Sequence, residues 1–150
     1  MNIREGLMGA ARARTRVLIL GVALPVLASV AFLLEYDVVL TVFVLYAALA
    51  VALYAGWTRA GLVAGVGAVF LTIRWRFVFP PLIGYLRWSW DTRYTPPRLL
   101  AYKLDPPGEL REGLIHGPVF ALTGAVVLGG TAYLLGALGR RLRTRYATDT

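Results

Sequence analysis

The sequence predicts an all-α, polytopic membrane protein, a four-transmembrane-helix bundle with short interfacial helices between helices 3 and 4. Three observations carry this. Of the 150 residues, 58% are hydrophobic and only 16% charged, a balance too apolar for an ordinary soluble domain. Apolar runs near bilayer length recur along the chain, interrupted by short polar or basic breaks. Proline pairs occur three times between residues 80 and 107, where the long runs give way to shorter, mixed segments.

The chain begins with Arg4, Arg12, Arg14 and Arg16 alternating with Ile3, Leu7 and Ala11. Those apolar residues are spaced by four, so they share one helical face, and the spacing predicts a short interfacial helix over residues 1–16. The first span, 17–34, is 18 residues long without a charge. A basic head before such a run also describes a signal peptide, with Leu27-Ala28-Ser29 near a possible cut. The run exceeds a typical signal core, which favours a retained anchor. Pro25 removes one backbone donor in mid-segment and predicts a kink. Glu35-Tyr36-Asp37 forms a tight turn, and the second span, 38–57, continues for 20 residues to another short connection at Trp57–Ala60.

The third segment, 61–79, opens with 13 apolar residues and is then broken by Arg74-Trp75-Arg76. Arg74 lies about 20 Å along the helix, roughly 10 Å short of the far side of a bilayer core, a gap that an arginine can largely bridge by snorkelling. The alternative is a re-entrant segment over 61–73, which needs protein or water around its non-helical backbone. Pro80-Pro81 is expected to end this helix. Thr95-Pro96-Pro97 and Asp105-Pro106-Pro107 each place a capping residue before proline, as at a helix start. Residues 80–117 therefore read as three short helical pieces on the membrane surface, anchored by Leu82, Leu86, Trp88 and Trp90, by Leu99, Leu100 and Tyr102, and by Leu110 and Leu114. The last span, 118–138, has 21 residues and closes on Gly139-Arg140-Arg141. The whole chain, 1–150, reads as one integral membrane domain.

Four spans put both termini on one side, and the distribution of arginine around the segments favours the cytoplasm. Ala48, Ala52 and Gly56, Gly61 and Gly65, and Ala121, Ala125 and Gly129 recur at intervals of four. Small residues so spaced allow backbones to approach, so they are candidate helix-packing positions. Charges inside a span mark a functional-site hypothesis. Arg74 and Arg76 are accordingly candidates for an ion pair with Glu35 or Asp37, or for a lipid contact. They are about 200° apart around a helix and cannot both take the acidic turn.

The net charge of +8 would suggest nucleic acid in a soluble protein. Here most arginines flank apolar segments, so the expected contact is the lipid bilayer and no nucleic-acid partner is expected. The chain has no cysteine and one histidine, His116. Neither a metal site nor a nucleophile–base set has the residues it needs, and no catalytic residue, metal or cofactor is expected. The reading that follows is a noncatalytic accessory or scaffold subunit that packs against a partner membrane protein or its own copies, as a homo-oligomer or part of a larger membrane complex. A small oligomeric transporter or channel is the alternative. A lipid-processing enzyme ranks third, motivated by Asp91, Asp105, Glu109, Glu112 and His116.

Overall fold

A computed structural model of the chain describes residues 7–98 and 102–146, with backbone alone for 37–41 and 146. Its long elements are α1 (Ala11–Leu33), α2 (Asp37–Thr58), α3 (Leu62–Leu86), α4 (Pro106–Gly124) and α5 (Gly130–Tyr146). A 3₁₀ turn covers Thr92–Tyr94, and a π turn over Ala125–Gly129 joins α4 to α5 without a break. Three of the helical stretches are long and apolar enough to cross a membrane: Ala11–Leu33, Leu62–Leu86 and the rod Pro106–Arg145. The described side chains of α2 form a shorter apolar helix, Val42–Thr58.

Local chemistry explains the turns. Glu35 takes a left-handed φ of 68°, and the backbone N–H of Leu34 and Tyr36 donate back to Val30 and Ala31 at 3.1 Å, closing α1 over the three residues that break the apolar pattern. Arg59 ends α2 at φ 57°, and Gly61 follows at φ 100°, a conformation that favours glycine. Gly61 thus serves a turn and lies close against the backbone of Leu7 and Met8. At the other end Asp105 caps α4 as its position before proline predicts: its carboxylate accepts from the Gly108 N–H at 3.0 Å.

Several expectations for the ends and the connecting region are corrected. The interfacial helix over 1–16 is interrupted: Gly9 turns the chain at φ 65°, and α1 already begins at Ala11. Ile3 and Arg4 lie outside the described residues. α3 does not turn back in its first half, and it does not stop at Pro80-Pro81 but runs through both to Leu86. Proline 81 removes the donor that would serve the Phe77 carbonyl, and Gly113 of α4 lies so close to that carbonyl that a Cβ there would overlap its oxygen. A neighbouring backbone therefore covers the freed group, as in helices that tolerate interior proline. The first and third of the three short surface helices are instead parts of longer helices. The first is the end of α3. Among its described residues the second region holds a 3₁₀ turn before Pro96-Pro97, and Leu99 and Leu100, on which the second piece is expected, lie outside the described residues. The third is the first part of α4, which passes straight through Gly117-Pro118.

The helices alternate in direction. Val17 packs with Ala60 and Ala64, Gly21 meets Ala68, and Phe32 meets Phe79, so α1 and α3 run parallel. Along α2 the order reverses, Ala55 and Ala52 lying at Gly65, Ala48 with Val69 and Val44 with Trp75. The rod is likewise antiparallel to α3, with Gly117 at Phe77, Gly124 at Ile73 and Gly129 at Val66. Small side chains fill these seams: Ala48, Ala52, Ala121 and Ala125 are 0% exposed. Pro25 lies inside α1, and Ser29 there links two helices, donating to the Pro25 carbonyl and accepting from Trp75 Nε1, both at 2.8 Å.

Candidate functional site

The arginines of α3 diverge. Arg74 Nη1 reaches past one turn of its own helix to donate to the Gly113 carbonyl at 2.9 Å. Gly117 makes room for it, because a Cβ there would lie 2.6 Å from the same Nη1. The acidic turn is thus not the described partner of Arg74. Glu35 faces Arg93 Nη1 at 3.8 Å, and at 74% side-chain exposure the pair contributes little to stability. Arg93 is held more by its surroundings: its guanidinium lies 5.0 Å from the Phe32 ring and 5.1 Å from the Tyr94 ring, and Nη2 donates to the Phe32 carbonyl at 3.1 Å. The Asp37 side chain lies outside the described residues. Sequence reasoning missed Gly113 and Gly117, although they share the four-residue spacing used for the other small-residue sets. It also missed Arg93, whose partner lies on another element and leaves no local pattern.

Between α3 and α4 the connecting segment folds down as a cap, tied by an ionic clamp. Arg98 pairs with Glu109, their side chains only 11% and 8% exposed. Glu109 Oε1 also accepts the Leu104 N–H at 2.8 Å, and the Arg98 guanidinium lies 4.5 Å from the Tyr102 ring. One helical turn further on, Glu112 accepts from the Tyr102 hydroxyl at 3.1 Å and faces His116 Nε2 at 3.8 Å. Glu109 and Glu112 are therefore turned to different partners. Among the described residues no group of three or more His, Asp and Glu side chains converges as a metal site would require.

Arg76 lines a cleft of about 310 Å³. The cleft arises because the rod changes companions. α5 lies along α2, whereas α4 leans on α3, and the π turn falls where one contact gives way to the other. The first half of α2 and α4 consequently splay apart. Val44 and Leu45 form one wall, Phe120 and Gly124 the other, Ile73 and Arg76 contribute to the floor, and Pro97 of the cap reaches the end. Phe77 and Phe120, stacked with ring centroids 5.7 Å apart, also line a second hollow of about 180 Å³. Arg98, Tyr102, Glu112 and His116 line that hollow together with Pro96 and Pro97. The two hollows adjoin, with Phe77, Pro97 and Phe120 shared between them.

No protein-family model, curated protein or solved structure matches this chain.

Proposed function

We propose that this is a noncatalytic multi-pass membrane protein that crosses the bilayer four times, with both termini cytoplasmic, and acts by association within the membrane as an accessory subunit. The alternating helix directions support four crossings, α2 being the fourth. Polar groups in the spans serve internal packing: Thr72 donates to the Ala68 carbonyl at 3.0 Å, Ser29 and Trp75 bond to one another, and Arg74 holds Gly113. What the bundle offers its surroundings is apolar surface. The arginine distribution supports the orientation, with nine basic residues at the termini and the Arg59 turn against five from Arg87 to Arg111.

The observation that carries the association reading is Gly67. Val63, Gly67 and Leu71 share a helical face, Val63 and Leu71 are exposed, and nothing lies within 4 Å of where a Gly67 Cβ would be. Gly130 is equally open. Glycine in a helix interior costs about 0.5–1 kcal/mol relative to alanine, and among the described residues no neighbour requires it at either position. A second helix approaching closely does.

Two measurements test this. The chain has no native cysteine, so single cysteines replacing Tyr36, Thr58, Lys103 and Thr144 can be labelled with a membrane-impermeant maleimide in intact cells. Tyr36→Cys and Lys103→Cys should react from outside, and Thr58→Cys and Thr144→Cys only after permeabilisation. The reverse pattern overturns the orientation, and Tyr36→Cys and Lys103→Cys on opposite sides overturns the four crossings. For association, protein extracted directly into nanodiscs is sized by light scattering. Wild type should contain more than one chain, or a stoichiometric partner, and Gly67→Leu should reduce it to a single chain that still melts cooperatively. A single-chain wild type, or Gly67→Leu assembled like wild type, removes this reading.

A further inference from the structure

We propose that the cleft between α2 and α4 is a binding site for one membrane glycerophospholipid, an acyl chain lying between Val44, Leu45 and Phe120 and the phosphate drawn to Arg76. This rests on the reading that these helices lie in a bilayer, and it adds a ligand to a surface separate from Gly67.

The walls select the class of occupant: Val44, Leu45, Ile73, Phe77 and Phe120 offer an acyl chain continuous dispersion contact that an empty cleft forfeits. Water gains few partners against such a surface.

Charge then orients the lipid. Arg76 is the basic residue that lines the cleft, whereas Arg98 in the adjoining hollow is already engaged by Glu109. A guanidinium presents five donors in a planar fork, so it can hold an oxygen of the fold and one of a phosphate together. The apolar end and basic end of the site match the two parts of a phospholipid in the order in which they occur. Glu112 faces the same hollow, and its carboxylate disfavours a second negative charge there, which limits the expected anion to one phosphate.

The test is native mass spectrometry of the full chain released from nanodiscs containing phosphatidylglycerol, or diacylglycerol in a neutral carrier lipid. Wild type should retain one phosphatidylglycerol per chain and much less diacylglycerol. Leu45→Trp, which places bulk in the cleft, should abolish retention of both, and Phe120→Trp does the same from the opposite wall should the first variant not fold. Arg76→Gln should reduce phosphatidylglycerol retention by about tenfold, the scale of one lost charge-assisted hydrogen bond, while leaving diacylglycerol unchanged. Equal retention by wild type and both tryptophan variants assigns the lipid to the outer surface and overturns the site. Equal loss of both lipids with Arg76→Gln overturns the phosphate contact. Gly67→Leu should retain lipid like wild type, so failure of the association reading is read separately. Failure of the membrane reading itself shows as release of the chain by alkaline extraction.

Discussion

Gly56→Ala should lower the stability of the protein in detergent by about 3 kcal/mol, at the upper end of what overpacking costs, although the same change in an open helix stabilises by about 1 kcal/mol. The sign reverses because of what stands opposite. A Cβ at Gly56 would overlap the Tyr133 carbonyl oxygen and come within 2.9 Å of the Ala137 backbone nitrogen. The seam is reciprocal: a Cβ at Gly136 would overlap the Leu53 carbonyl oxygen and lie 3.1 Å from the Trp57 nitrogen. Backbone on both sides cannot rotate away as a side chain would. Arg140 fastens the same place, its Nη1 donating to the Gly56 carbonyl at 2.5 Å and approaching that of Trp57 at 3.3 Å. Separating α2 from α5 by the width of one methyl group thus strains an arginine clamp as well. Thermal melts of Gly56→Ala, Gly136→Ala, Gly67→Ala and Gly130→Ala check this in one series. In a detergent that keeps the chain single, the first two should melt well below wild type and the last two at or slightly above it. Four similar shifts would mean that the close seam does not support the bundle.

Arg98→Met should cost about 3–5 kcal/mol, the usual penalty for stranding one member of a buried ion pair. Glu109 is left 8% exposed, with the Leu104 N–H as its remaining partner among the described residues. Glu109→Leu strands Arg98 in the same way. The double variant Arg98→Met with Glu109→Leu should be more stable than the sum of the singles implies, because it removes both charges together. The damage should concentrate in the cap, which the clamp holds onto α4. Limited proteolysis between residues 87 and 105 should therefore accelerate more than the melting temperature falls. Additive single effects, or proteolysis unchanged in all three variants, would show that the clamp contributes nothing to holding the cap.

The sequence by itself determined the chain's helical elements wherever a residue's neighbours in the chain supply its constraint. Apolar runs of bilayer length became helices, Glu35-Tyr36-Asp37 marked the end of one helix and the start of the next, and Asp105 before Pro106 marked the start of α4. Each of these depends on hydrogen bonds or hydrophobicity within a few residues. Tertiary structure alone decided the features whose partners are distant in sequence. Proline at 80 and 81 reads as a stop because the freed Phe77 carbonyl has no local substitute, and only α4 brings Gly113 against it. Arg74 carried a signal of function in its charge, but its partner, the Gly113 carbonyl 39 residues away, is a backbone atom that no residue type announces. The cleft beside Arg76 is a property of two helices diverging from a third. Its volume comes from where the rod turns from α3 to α2, a matter of packing between elements that hydropathy along one chain does not encode.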